Sequence, residues 1–241
     1  DVYKRQGIGR RLVSALLAHG CRVAVIDMPA SLKEYPPPDP VLAASADATQ
    51  EEQVMAAAAE VGAAFGALDG FVNLCGFTRG RTPITDLDLA QWQALIDGNL
   101  TAAFNLSRAM LPLLADGRGA SMVHMASSLA VKASPGYAAY SAAKAGILSL
   151  TRMLAAENAP DIRVNAVAPS AVRTRFIEGG TGRQPSGDGP LLDLDAYGRS
   201  LPLGRVAEPD DVVGPILFLL GSGSQYMTGQ TLHINGGLYQ P

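Results

Sequence analysis

GIGRRLVSALLAHGCRVAVID, residues 7–27, carries the transition on which the fold turns. Leu12, Val13, Leu16 and Leu17 recur at helical spacing, so residues 9–19 are expected to form a helix, with Gly20 as its stop. Residues 21–27 follow as a short apolar run ending on an acid, the pattern of a buried parallel strand. Asp27 stands about 20 residues beyond the Gly7-Ile8-Gly9 turn, a spacing at which a carboxylate can bind the ribose hydroxyls of an adenine dinucleotide. A solvated strand-end carboxylate is the plainer reading of Asp27. Glycines opening a helix admit a pyrophosphate to its N-terminal amides, and they also occur as ordinary turns.

The same alternation continues outward. Helical windows at 50–65, 87–114, 138–157 and 210–220 are interleaved with strand-like runs at 70–74, 121–126, 163–168 and 231–234. This order predicts an α/β fold in three layers: a doubly wound parallel sheet with right-handed crossovers and helices on both faces. Between Asp27 and the apolar run 41–46, Pro36, Pro37, Pro38 and Pro40 predict a loop without a helix. Residues 174–199, which include Gly179, Gly180, Gly182, Gly187, Gly189 and Pro185, predict one long loop, the usual form of a substrate lid. Neither a repeat nor an interdomain linker is visible, so residues 1–241 are expected to form a single domain.

Composition narrows the function. With a net charge of −3 and scattered basic residues the chain offers no footprint for nucleic acid. Its apolar runs are too short for a membrane span and its start lacks a secretory pattern, which together point to a cytoplasmic protein. Cys21 and Cys75 lie in apolar runs and read as buried, inert thiols. His124 reads as a satisfied core group, His19 and His233 as structural, and no ligand spacing for a metal exists.

In such sheets ligands bind beyond the carboxyl ends of the strands. The residues there are Asp27, Asn73 to Gly76, Ser127 and Ser128, and Pro169 to Thr174. Tyr140 and Lys144, four apart, share one face of a helix, and a nearby ammonium lowers a phenol pKa from about 10 toward working pH. Asp47-Ala48 stands at a further strand end, although Thr49, Glu51 and Glu52 also make a good helix start.

Asn73-Leu74-Cys75-Gly76, Asn99-Leu100, Tyr140-Ser141-Ala142-Ala143-Lys144, Arg163-Val164-Asn165, Pro169-Ser170-Ala171-Val172-Arg173-Thr174, the passage 226–230 and Asn235-Gly236-Gly237 follow in collinear order. In that order the chain resembles the short-chain dehydrogenase/reductase family over nearly its whole length. The resemblance implies a Rossmann-like sheet and a catalytic serine thirteen positions before the tyrosine, here Ser127, with Ser128 its neighbouring rival. It implies that Ser127 orients the substrate oxygen and Tyr140 exchanges its proton. Lys144 lowers the Tyr140 pKa and binds the nicotinamide ribose, and Asn99 holds a relay water.

The implied cofactor contacts are Gly7, Ile8, Gly9, Asp27, Asp47, Ala48, Asn73, Gly76, Tyr140, Lys144, Pro169, Ser170, Val172 and Thr174. NAD is expected over NADP, because Asp27 repels a 2′-phosphate and Met28 beside it offers no clamp. Phe176, Ile177, Leu191, Leu192, Leu194 and Tyr197 suggest an apolar pocket wall with few charges, for a hydrophobic secondary alcohol or ketone. A 3-oxoacyl thioester is the alternative substrate. A non-catalytic cofactor-binding regulator and an inactive fragment are the alternatives of another class. A homotetramer or homodimer is implied by the resemblance alone.

One departure stands out. The family pattern places a strand and a first glycine before Gly7, where this chain has Asp1-Val2-Tyr3-Lys4-Arg5-Gln6. Residues 1–6 read as a translated remnant attached to a truncated gene. On that reading the strands at 21–27 and 70–74 lack their shared partner, and the chain folds poorly and binds cofactor weakly.

Overall fold

The computed structural model describes residues 7–117, 119–178 and 192–240. Residues 1–6, and with them the expected remnant, lie outside the described residues. Helix α1 (Ile8–Ala18) leads into β1 (Ala24–Asp27), α2 (Pro29–Glu34), β2 (Leu42–Ser45), α3 (Glu51–Phe65) and β3 (Gly70–Asn73). Then α4 (Leu89–Ile96), a π-helical segment (Asp97–Thr101), α5 (Ala102–Ala115), β4 (Ala120–Met125) and α6 (Ala138–Asn158) follow. The chain continues through β5 (Ile162–Pro169), α7 (Leu194–Arg199), α8 (Pro209–Leu220) and β6 (Thr231–Ile234).

All strand pairs are parallel. They form two groups, β1-β2 and β3-β4-β5-β6. The break separates β1-β2 from β3-β4-β5-β6, so β1 and β3 are each paired on one side only among the described residues. Residues of both strands, Val25 and Val72 among them, line one continuous cleft of about 1690 Å³. Parallel strands facing each other without a ladder leave a row of unpaired amides and carbonyls on each edge.

Side chains alternate across β4, and with them the two core layers. Ala120 and Met122 pack with Val54, Ala57, Leu106 and Met110 of α3 and α5. Val123 and Met125 pack with Leu12 of α1 and with Val212 and Ile216 of α8. Truncating a buried Leu, Ile or Met here to Ala costs about 2–5 kcal/mol.

Several expectations need correction. The crossover after β1 does contain a helix: Pro29 sits in the first turn of α2, where its missing N–H is not needed, and the prolines come only afterwards. Cys21 is exposed, because its amide still bonds Leu16 O at 3.0 Å in the turn after α1 and β1 begins only at Ala24. Cys75 is half-buried and lines the cleft. The expected lid at 174–199 holds a 3-10 turn (Arg175–Glu178) and α7, capped by the Asp193 carboxylate on Asp195 N and Ala196 N. Residues 179–191, including Leu191 and most of the glycines, lie outside the described residues.

Candidate active site

Ser127, Tyr140, Lys144, Asn73, Gly76, Asp27, Asp47, Ala48 and the Pro169 to Thr174 turn all line that one cleft. Gly7, Ile8 and Gly9 line it too, at the N-terminus of α1. Asn99 lies behind it, fully buried. Topology explains most of the convergence, since apart from Lys144 in the second turn of α6 and Asn99 in the π-helical segment these positions follow a strand or lie in the first turn of a helix on the carboxyl side of the sheet.

Lys144 is buried, and its Nζ donates to Met125 O at 2.9 Å, fixing α6 to the end of β4. The ammonium lies 5.6 Å from the Tyr140 ring centroid. Burial pushes the Lys144 pKa down to about 8. Burial also pushes the Tyr140 phenol up to about 12, against a hydrogen bond with Ser127 that works the other way. The lowering of the Tyr140 pKa by Lys144 that the resemblance implies is not seen in the protein alone, where burial is the largest influence on both groups.

Ser127 and Ser128 are both buried at the end of β4. Ser127 accepts a bond from Leu129 N at 3.2 Å and is the one of the pair bonded to Tyr140. Ser128 instead opens the next 3-10 turn, where its carbonyl accepts from Lys132 N at 2.9 Å.

The π-helical segment accounts for Asn99. Its wider turn frees the Leu95 carbonyl, which accepts from Asn99 Nδ2 at 2.9 Å, as does Phe77 O. Asn99 Oδ1 is left buried without a partner. A β-carbon at Gly76 would stand 2.5 Å from that oxygen and 3.0 Å from Lys144 Nζ. The glycine thus keeps open a polar recess between Asn99 and Lys144.

Other motif residues work locally. Asn73 Oδ1 accepts from Cys75 N at 3.0 Å and shapes the turn. Asp47 Oδ1 holds the Thr49 amide and hydroxyl, so its helix-start reading is realised at the cleft edge. Arg163 donates to Leu219 O in the last turn of α8 and to Ser224 O just beyond it, and Asn165 bonds Met227 O and Gln230 N. His124 lies between the Ser107 hydroxyl of α5 and the Thr151 hydroxyl of α6, each 3.0 Å away, with its pKa pushed down by burial to about 4.

Sequence reading missed the charges around the cleft. Burial pushes the Asp27 carboxyl up, and the Met28 amide at 2.7 Å and the Arg10 guanidinium oppose that shift. Arg10 stacks 3.9 Å from the Tyr35 ring centroid, and Arg175 approaches the same ring and pairs with Glu34 at 3.1 Å. The Arg10 guanidinium thus stands near Asp27, where none was expected, and Arg175 shares the Tyr35 ring with it. Arg81 and Lys132 line the cleft near Tyr137, so its wall is not poor in charge. Of the expected apolar wall, Phe176 tilts against Tyr140 at 6.2 Å, and Ile177, Leu192 and Tyr197 line the cleft, whereas Leu194 opens α7 away from it.

The residues present fit a dinucleotide. Glycines open α1 without a nearby obstruction at Gly7, a carboxylate ends β1, and an orphaned buried oxygen marks the far end. Among the described residues no three His, Cys, Asp or Glu side chains group to hold a metal, and no helix is long and apolar enough to cross a membrane.

A sequence model described as enoyl-(acyl carrier protein) reductase matches residues 2–239. The chain is 34% identical to 2,5-dichloro-2,5-cyclohexadiene-1,4-diol dehydrogenase of Sphingobium indicum, over 96% of this chain and 92% of that protein. It is 33% identical to the 3-oxoacyl-acyl-carrier-protein reductase FabG of Thermotoga maritima, over 79% and 74%. A short-chain dehydrogenase/reductase of Brucella melitensis, titled glucose/ribitol dehydrogenase, superposes with a TM-score of 0.85 at 28% identity, covering 98% of this chain and 93% of that one. With a Rossmann-like fold and matches along its full length, the chain belongs to the short-chain dehydrogenase/reductase family of oxidoreductases, which bind NAD(P).

Proposed function

We propose that the protein interconverts a secondary alcohol and a ketone, with NAD preferred, as a single cofactor-binding domain. One observation carries this reading: Ser127, Tyr140 and Lys144 meet in one cleft, with the unpartnered Asn99 Oδ1 and the Lys144 ammonium both bordering Gly76. A set of groups held this way suits proton transfer to a carbon-bound oxygen.

Gly7, Ile8 and Gly9 would hold the pyrophosphate at the positive end of α1. Asp27 would take the adenosine ribose, Asp47 and Ala48 the adenine. Asn73, Gly76, Pro169, Ser170, Val172 and Thr174 would line the nicotinamide half. When bound, the nicotinamide supplies or accepts the hydride. The protein then has to orient and to move one proton. Ser127 positions the substrate oxygen, and Tyr140 gives its phenolic proton in reduction and takes one in oxidation. Lys144 holds positive charge near the phenol, and Asn99 Oδ1 anchors a water that passes the proton onward.

NAD preference is supported by the Asp27 carboxylate, while Arg10 is engaged by Tyr35 and Arg175 by Glu34. Titrating NADH and NADPH by fluorescence against the protein and against Asp27→Ala tests it. The expected result is tighter NADH binding by the protein and a shift toward NADPH of about tenfold or more in the variant. Equal affinities in both proteins would overturn the preference. A cytoplasmic homotetramer or homodimer completes the proposal on the strength of the family resemblance. A 3-oxoacyl thioester is the second substrate class, favoured by the likeness to the Thermotoga reductase.

A further inference from the structure

Although the chain is net negative, the cleft beside Tyr140 is bordered by positive charge. The acids that line the cleft among the described residues are Asp27, Asp47 and Asp69, all on the β1, β2 and β3 side. Besides Lys144, which is buried at the reacting phenol, and Arg175, which pairs with Glu34, the cations lining this part of the cleft are Arg81 and Lys132, both exposed and neither in an ion pair among the described residues.

Arg81 is held in place rather than loosely attached. Thr82 N donates to Gly136 O at 3.0 Å, and Gly136, at φ +87°, leaves room for Arg81, whose Cβ would stand 2.8 Å from an added β-carbon. These contacts clamp the 78–82 segment onto the turn before α6. The guanidinium lies 5.7 Å from the centroid of the Tyr137 ring. Tyr137 precedes Tyr140 by three residues, one helical turn, which sets Arg81 one aromatic ring away from the reacting phenol. Lys132 is placed by its backbone bond to Ser128 O at 2.9 Å, next to Ser127 in the chain turn that follows β4. Two cations on ordered backbone that line the same cleft can receive an anion.

We propose that Arg81 and Lys132 select substrates bearing an anionic group, a carboxylate or a phosphate, attached to the molecule that presents its alcohol or ketone to Tyr140. This rests on the oxidoreductase reading above and replaces the uncharged substrate expected from sequence.

The test compares matched ketones with NADH: 4-oxocyclohexanecarboxylate against its methyl ester, and acetoacetyl-CoA against S-acetoacetyl-N-acetylcysteamine. Calorimetric binding of the first pair to the protein–NADH complex provides an arm independent of turnover. The expected result is a kcat/KM at least about tenfold higher for the anionic member of one pair, expressed in KM and shrinking at high salt. Arg81→Ala with Lys132→Ala brings that ratio close to one, and Arg81→Lys keeps most of it. A preference within the cyclohexane pair identifies a carboxylate, and within the thioester pair the phosphates of a carrier. If nothing turns over but the carboxylate still binds more tightly than its ester and loses that advantage in the double variant, the charge inference stands and the hydride-transfer reading fails. Absence of any anion preference in turnover and in binding, or a preference untouched by the double variant, overturns it.

Discussion

Gly76 faces Asn99 so closely that a β-carbon on it would stand 2.5 Å from Asn99 Oδ1, and its φ of +147° lies where side chains are rarely tolerated. Gly76→Ala must therefore displace Asn99 or Lys144. The expected outcome is a loss of kcat of about 100-fold, the scale of an ångström-sized misplacement. Steady-state kinetics beside a circular-dichroism melt checks this, and an Ala variant with native rates would show that the recess is not used.

Burial of His124 ties stability to pH. Its folded pKa, about 4, lies below its ordinary 6.5, so the native state resists protonation and stability is lost as pH falls from 6.5 toward 4. About 2.5 pKa units correspond to roughly 3 kcal/mol. Urea melts at pH 7 and pH 4.5 should differ by most of that amount in the protein, and by clearly less in His124→Asn. Parallel slopes in the two proteins would contradict a neutral buried imidazole.

Lys144 and Tyr140 set the direction of catalysis with pH. With the Lys144 pKa lowered to about 8, the pair and its relay hold a transferable proton below that value and release it above. Ketone reduction is expected to fall and alcohol oxidation to rise as pH passes about 8. Initial rates in both directions between pH 6 and 10 check it; a flat profile in both would rule out a proton step limited by this pair.

Unpaired edges of β1 and β3 should be weak points. Amides of Ala24, Ile26 and Val72, which point away from the β2 and β4 ladders, are expected to exchange with deuterium far faster than those of Met122 and Val164 in the paired sheet. Fusing a short Val- and Ile-rich strand and a glycine turn ahead of Gly7 should slow that exchange and raise the melting temperature by about 10 °C, a few kcal/mol on a chain of this size. Unchanged exchange at both edges would show that the slot does not accept a strand.

Order along the chain was legible from sequence because helix and strand periodicity are local, and so was the shared helix face of Tyr140 and Lys144, whereas Ser127 is reached through the family resemblance. What stayed hidden depends on contacts between distant segments. Arg81 meets Tyr137 through a turn 55 residues later in the chain, and Arg175 reaches Glu34 across 141 positions. No pattern in either segment announces those encounters. Spacing reports the ammonium near Tyr140 but not the burial of both groups, which is the largest influence on each pKa in the protein alone. Short α2 was missed since prolines after it were taken to exclude it, although Pro29 at its start favours it.

The most direct test of the central claim is transfer of deuterium from NADH carrying it at the reactive C4 position to a ketone panel, read by mass spectrometry of the alcohol products. The account predicts label on the carbinol carbon with the protein, and at least a 100-fold slower transfer with Tyr140→Phe while NADH binding is retained. Bound NADH that never delivers its label to carbon, or a Tyr140→Phe protein that delivers it as fast, would contradict the account.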